Sequence, residues 1–476
     1  MKVGEIVTYS IPELVPRNGD FSVVVRCEGG EWQELDTMLV KVDMHDVREA
    51  SMVSFDFSGE VEVEITCHRE EIKDVAVRPV AANIEAELLD NRKLRFKLEE
   101  PHKLSIEING DRFHNLHLFA KEIEQEKLLP TDEGVAVVKP GIHRIEWIEE
   151  KMASGAHTIY FLPGMHHIEQ VLLPITSNMN VYIAGGAVIV GSFICNLVSN
   201  VNIYGRGMIY LSDFGRFSAF RGIRIMFSQR INISGILIID PPHYSIYMGQ
   251  SRQVNITDIE SFSTRGWSDG IDMMACSEVV VDNVFMRNSD DCIAIYGHRW
   301  SYYGDTRDIT VRNSVLWADV AHPTMVGIHG DHQGNGSLIE NISFDNIDIL
   351  EHHEPQDQYR GCLTINAGDK NVIRNVSYSN IRIEPFQLGR VIDLRVVWNS
   401  DYNPYPGAEI SNITYNNISY NGDASMTSWI RGYDEQRKVS DVVIEDMYVN
   451  GIKLESAASE LLEIGQHVTN LKVGGN

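Results

Sequence analysis

No long apolar run occurs in this sequence. Nowhere do about 18 apolar residues follow one another, which excludes a membrane-spanning helix. The first 17 residues break their short apolar stretches with Glu5, Pro12, Glu13 and Pro16, so no export signal is visible. A cytoplasmic location is therefore expected, or secretion if a leader preceded this sequence. Cysteine is scarce: Cys27, Cys67, Cys195, Cys276, Cys292 and Cys362 are scattered, without CxxC pairs or zinc spacing. Reduced thiols follow as the default. Positive charge is also short, 41 basic against 67 acidic side chains, for a net charge of −26. A net charge of this sign repels nucleic acid and anionic membrane, so neither is expected as a partner, and a polyanionic substrate is disfavoured. Phosphate-binding glycine loops are missing as well.

What is present suits a globular protein. The apolar fraction is 43% and the charged fraction 23%, ordinary values that argue against disorder. A length of 476 residues allows two domains with ample core. Residues 1–125 read as an N-terminal antiparallel β-sandwich. Phe21–Cys27, Val61–Cys67, Lys93–Leu98 and Leu104–Ile108 alternate apolar and polar side chains, and Ser58-Gly59 and Asn109-Gly110 suggest hairpin turns. Residues 126–155 read as a linker, with Pro130 and Pro140 as breakers, followed by one short helix. In that helix Ile145, Trp147, Ile148 and Met152 fall at near-helical spacing before Gly155, as a lid for the next domain.

Residues 156–476 carry a repeat. An apolar–polar–apolar step ending in Asn, Asp or Gly recurs with its last residue at Gly205, Gly235, Asp258, Asn283, Asn313, Asn346, Asn380, Asn417 and Asp446. The intervals run from 23 residues (Gly235 to Asp258) to 37 (Asn380 to Asn417). Each fits one turn of a β-solenoid with loops of variable length. The closing residues tolerate left-handed backbone, as a tight bend requires. The expected architecture is all-β, a right-handed parallel β-helix behind the sandwich. Its ends need covering, by the helix near 143–153 at one end and the tail after Leu454 at the other. Six or more Asn-x-Ser/Thr triplets, such as those at Asn232 and Asn375, arise from the repeat and are not read as glycosylation sites.

Two loops depart from the repeat: Trp267-Ser268-Asp269-Gly270-Ile271-Asp272 and Asn288-Ser289-Asp290-Asp291-Cys292. Asp269 precedes Asp290 by 21 residues, close to one coil, so the two stack roughly 5 Å apart along the axis. Either loop alone is ordinary turn chemistry; adjacent in the stack they gather three carboxylates. Like charges held this close keep one carboxyl protonated beside ionised bases, the requirement for glycoside hydrolysis. An inverting enzyme sets acid and base roughly 6.5–9.5 Å apart. Trp267 and Trp300 are the aromatic faces best placed to pack on a sugar. Inserts at His298–Asp305 and His352–Tyr359 are long enough to wall off one end of a cleft and favour exo attack. Cys292 reads as a buried rung cysteine, and the histidines near Asp331 and His352 lack metal-site spacing, so neither metal nor cofactor is expected.

At these two loops the sequence resembles glycoside hydrolase family 28, the polygalacturonases, and the related family 49 of dextranase and isopullulanase. The S-D-G-I-D and N-S-D-D-C-I-A-I segments are similar to the family 28 motifs N-T-D-G-x-D and D-D-C. Val181–Gly191 is similar to a first coil in both families. Family 49 also carries an N-terminal β-sandwich. The resemblance implies Asp290 as general acid, Asp269 and Asp291 as bases that position and activate water, and Asp272 as a supporting residue. Gly327-Ile328-His329-Gly330 stands nearest to the family's G-H-G segment, which implies that His329 bonds the acid or a sugar hydroxyl. The family's R-I-K segment, whose cations bind a galacturonate carboxylate, has no counterpart in this solenoid, leaving Arg360 or Arg395 as substitutes. That departure points to a neutral α-linked oligo- or polysaccharide cut with inversion, with a pectic substrate as the alternative. A polysaccharide lyase or epimerase and a non-catalytic carbohydrate-binding solenoid are the readings from other classes. The expected partner is a carbohydrate; oligomeric state is left open.

Overall fold

The computed structural model describes residues 4–474 apart from positions 126, 219 and 424. The expected outer domain bounds at residues 1 and 476, and the linker's start at 126, lie outside the described residues. The N-terminal region folds as two sheets. One is five-stranded, in the order Gln33–Leu35, Phe21–Cys27, Val61–Cys67, Lys93–Leu98, Glu87–Leu88. The other is six-stranded, in the order Glu5–Thr8, Arg48–Ser58, Leu116–Glu122, His102–Ile108, Val75–Arg78, with Met38–Val42 on the second strand. Alternation in Phe21–Cys27 and Val61–Cys67 turns Val23, Val25, Val63 and Ile65 inward, against Val53, Phe55, Leu104 and Leu118 of the facing sheet. Two details differ from a simple antiparallel meander. Arg48–Ser58 and Leu116–Glu122 pair in parallel. The Ser58-Gly59 turn makes no hairpin but carries the chain from one sheet to the other, since its flanking strands belong to different sheets.

Parallel pairing begins at Val135–Val138, within the stretch read as linker, where that strand lies against Thr158–Phe161. The helix, Ile145–Ala153, therefore sits inside the first coil, and its Ile148 is buried in the solenoid core. From there coil stacks on coil as a right-handed parallel β-helix. All nine residues that close the repeated phrase have positive φ, from 50° at Asp446 to 79° at Gly235 and 129° at Gly205. The corner chemistry read from the sequence is thus the backbone conformation itself. Side-chain amides tie successive corners: Asn346 donates to Asn313 at 2.8 Å, Asn380 to Asp345 at 2.7 Å and Asn417 to Asn380 at 2.8 Å. Inside, one inward column runs Ile233, Ile256, Val281, Val311, Phe344, Tyr378, Tyr415, with Phe344 and Tyr378 stacked at 4.5 Å. At the far end the tail is not a separate plug. Leu462–Ile464 and Val468–Val473 add further parallel strands to Ser428–Arg431 and Val439–Val449.

The sandwich lies flat on one face of the solenoid. Val40, Met52 and Phe119 share a buried cluster with Ile239, Phe262, Phe285 and Trp317. Buried ion pairs cross the same interface. Lys121 Nζ reaches Glu260 at 2.6 Å, Lys103 Nζ reaches Asp258 at 2.8 Å and also pairs with Glu260, and Arg206 reaches Asp56 at 2.9 Å. This docking brings the turn after Met38–Val42 to the catalytic loops. Asp43 N–H donates to Asp319 at 3.2 Å, and Met44 comes to line the cavity described next.

Candidate active site

Three successive rungs hold the site together through main-chain bonds. Gly270 N–H donates to the Asp291 carbonyl at 2.8 Å, and Cys292 N–H to the His322 carbonyl at 2.8 Å. Asp269, Asp291 and His322 thereby stack in order. Glycine is required at 270 because a Cβ there would meet the Cys292 carbonyl oxygen at 2.3 Å. Asn288 and Ser289 build the turn beneath: the Asn288 amide donates to Ser263 Oγ at 3.0 Å, and Ser289 N–H to the same oxygen at 3.2 Å. Cys292 is fully buried, a core residue of the rung.

Asp269, Asp290 and Asp291 converge, one oxygen from each within 4.8 Å of the others. This is closer than the roughly 6.5–9.5 Å expected of an inverting acid–base pair. Asp290 accepts from Trp267 N–H at 2.9 Å and from Asp291 N–H at 3.1 Å. Its carboxyl is nonetheless pushed up to about 6, by burial first and then by the charge of Asp291. Asp291 accepts from His322 Nδ1–H at 2.6 Å, from His322 N–H at 3.1 Å and from the Tyr296 hydroxyl at 3.2 Å. His322 gives its other ring N–H to the Tyr359 carbonyl. Burial opposes its charge, but Asp291 outweighs burial and raises the imidazolium to about 9. Asp269 is driven well above the carboxylate range by burial and then by Asp272, Asp290 and Asp291. Asp272 is driven up by burial against the pull of Arg299, whose guanidinium is 3.8 Å away.

The carboxylates open into a cavity of about 260 Å³. Trp267 lines it, with backbone at φ 67° and the Arg216 guanidinium 4.3 Å over its ring. His329 lines it edge-on to Tyr296 at 5.0 Å, kept neutral by burial and by Arg299. Among the described hydrogen bonds its ring makes none to Asp290; the cavity histidine bonded to an aspartate is His322. Trp300 lies off the cavity wall, stacked on Tyr244 at 6.0 Å and half exposed. Arg360 and Arg395 are not brought to the carboxylates. Arg360 pairs with Asp357 at 2.5 Å, and Arg395 is held by Asp393, with Nη2 at 2.8 Å. The histidines near residue 352 are likewise engaged by main chain, His352 with Ala321 at 3.0 Å and His353 with Asp319 at 3.2 Å.

Several wall residues were not singled out from the sequence: Arg216, Arg299, Glu354, Tyr296 and Met44. His322 follows Asp291 by 31 residues, one coil, and is brought to it by the stack. Glu354 is buried, and burial pushes its carboxyl up to about 7 against the charge of His322. Arg299 and Glu354 come from the two inserts that were expected to wall off a cleft.

Residues 212–464, more than half of the chain, match the family model of glycosyl hydrolases family 28. The chain belongs to this family. The family description, glycosyl hydrolases, accords with one raised carboxyl beside two further carboxylates. It is 29% identical over 206 residues to "Probable exopolygalacturonase B" of Aspergillus terreus, covering 40% of this chain and 44% of that protein. It is 27% identical over 204 residues to exopolygalacturonase B of Aspergillus niger, covering 40% and 43%. The aligned segment thus spans less than half the length of these curated relatives. In fold, the whole chain resembles Dex49A from Penicillium minioluteum, with a TM-score of 0.65, 14% identity and 96% of each chain covered. That likeness extends the family 28 solenoid to the sandwich-plus-solenoid arrangement as a unit. No helix among the described residues is long and apolar enough to cross a membrane.

Proposed function

We propose that the protein is an exo-acting hydrolase of α-linked galacturonate oligosaccharides. One observation carries this reading: Arg216 and Arg299 line the same cavity as Asp269, Asp290 and Asp291. A guanidinium fork matches a carboxylate in two parallel hydrogen bonds, so these residues supply cations that the missing basic–apolar–basic triplet was to provide. The names of the Aspergillus relatives support the same substrate, which was the alternative to a neutral glucan in the sequence reading. Exo action is supported by the cavity's size. At about 260 Å³ it lies below the roughly 300–1,000 Å³ of pockets for drug-sized ligands and suits a terminal sugar.

In this mechanism Asp290 gives its proton to the glycosidic oxygen as the bond to the anomeric carbon breaks. A water takes the other face, and its proton passes to Asp291, which His322 and Tyr296 hold in place. Two oxygens within 4.8 Å can both accept from one water at roughly 2.8 Å each, so Asp269 and Asp291 can share it despite their short separation. Inversion is the expected outcome. Retention would follow instead if one aspartate attacked directly, as the close spacing would allow.

The test is incubation with di- and trigalacturonate beside oligosaccharides of dextran, pullulan and nigeran, with the first-formed anomer read by NMR. Release of galacturonic acid from chain ends supports the reading, and turnover of the glucans alone overturns it. The three-carboxylate face could also hold a divalent cation, so a parallel arm contains chelator; an unsaturated, chelator-sensitive product would indicate elimination.

A further inference from the structure

Among the described residues, Glu354 is the carboxyl of the cavity wall that the hydrolytic step leaves unused. It comes from the 352–359 insert, and main-chain bonds pin that insert on both sides. Ala321 N–H donates to the His353 carbonyl at 2.9 Å, and Glu354 N–H to the Leu388 carbonyl at 3.1 Å. Glu354 itself is only 1% exposed. Its Oε1 accepts from Gln356 N–H at 2.6 Å. Its Oε2 has no partner among the described hydrogen bonds, and no described cation forms an ion pair with the group. His322, the cation beside it, is engaged elsewhere: its two ring nitrogens meet Asp291 and the Tyr359 carbonyl.

A buried carboxyl without a paired cation is costly to ionise, which is why burial outweighs His322 and raises this group to about 7. The charges around it decide what the neutral form can do. Asp291, Asp290 and Tyr402 are near enough to act on it. Asp269, Arg216, Arg299, His329 and Tyr359 line the same cavity. Ionised, Glu354 adds a further negative charge against an anionic guest. Neutral, it offers a donor in a fixed direction. Gln356 N–H keeps Oε1 as an acceptor, so the acid proton sits on Oε2, the oxygen left for the cavity.

We propose that Glu354 is a specificity-determining residue that admits a uronate by its charge state: as a neutral acid it donates Oε2–H to the carboxylate of the bound sugar, and as a carboxylate it repels that sugar. This rests on the galacturonate reading of the cavity and deepens it, adding a proton-gated donor to the guanidiniums of Arg216 and Arg299. An O–H donated to a carboxylate is among the strong hydrogen bonds, and here it exists only while the gate is protonated. The gate is distinct from Asp290, whose proton goes to the leaving oxygen.

Binding separates this gate from catalysis. The Asp290→Asn protein stops turnover and removes that residue's own titration, so calorimetry can follow the Kd of digalacturonate against pH. The competent, protonated fraction of Glu354 shrinks as pH rises, so the apparent Kd should increase about tenfold between about pH 6 and about pH 8. The dimethyl ester of digalacturonate brings no charge, and its Kd should rise less. With Glu354→Gln added, an amide N–H donates at every pH. The Kd of digalacturonate should then stay within about twofold of its pH 6 value up to about pH 8. A flat Kd in the Asp290→Asn protein, or an equal rise with and without Glu354, overturns the gate and leaves the cavity reading intact. Equal loss of acid and ester binding at pH 6 in the Glu354→Gln protein, its circular dichroism unchanged, also overturns it. Binding of dextran, pullulan or nigeran oligosaccharides but no galacturonate overturns the galacturonate reading and the gate together.

Discussion

Asp290 and His322 show how burial and charge divide labour among neighbouring groups. Asp290 must be protonated to act as an acid, and its carboxyl is raised to about 6. The sign follows directly: activity is supported below that value and lost as pH rises through it, so kcat/KM should fall above about pH 6. Asp290→Asn should lower kcat roughly 10²–10⁴-fold with the circular dichroism spectrum unchanged. His322 acts through Asp291 and is a positioning residue. Replacing it with Gln removes a positive charge beside the carboxyls, so the ascending limb of the pH–rate profile should move to higher pH. A profile shifted in neither limb would assign His322 a purely structural role. The aspartates were legible in the sequence because coil spacing sets Asp269 one coil from the Asp290-Asp291 pair, with Asp291 rather than Asp290 as its partner in register. Arg216 and Arg299 were not, because loops of variable length deliver them and no periodicity marks where a loop turns back.

The corners of the solenoid were equally legible, since a left-handed bend restricts residue choice more than a strand does. Asn380 is a clear instance. It holds φ at 56°, donates to Asp345 and accepts from Asn417. A β-branched residue there forfeits both amide bonds and pays about 1–2 kcal/mol for the left-handed backbone. Asn380→Val should destabilise the protein by about 2 kcal/mol, and Asn380→Gly by less than about 1, because glycine keeps the conformation. The midpoint of urea denaturation measures both; equal losses would show that the amide ladder outweighs backbone strain. Where local pattern misled, the cause was the same in kind. Ser58-Gly59 has hairpin chemistry, yet its glycine serves a corner between sheets, and only the pairing partners distinguish the two. Tail residues that resemble a cap instead continue the strand register, because Leu462 and Val468 find exposed strand edges to extend.

At the scale of the whole molecule, sandwich and solenoid are expected to unfold as one cooperative body. Their shared face buries Phe119 with Phe262, Phe285 and Trp317, and the catalytic cavity takes Met44 from the sandwich. The buried lysines Lys103 and Lys121 lie against Glu260 and Asp258. Removing one partner of a buried pair strands a charge away from water, at about 3–5 kcal/mol. Glu260→Gln should therefore cost about that much, and because the residue does not line the catalytic cavity it should leave the pH profile's shape unaltered. The pair also sets a pH dependence. Burial opposes the charge on Asp258, but Lys103, Lys121 and Arg206 outweigh it and hold this carboxyl below its ordinary 3.8. A depressed carboxyl contributes stability above its unfolded value, and that contribution is lost as pH falls below about 3.8. Acid unfolding should thus begin at the interface and carry both domains with it. Trp32 in the sandwich and Trp317 in the solenoid offer separate probes: replacing every other tryptophan with Phe in two reporter variants should give coincident urea transitions. Two resolved midpoints would show that the sandwich unfolds first and that the shared face does not bind the domains into one unit.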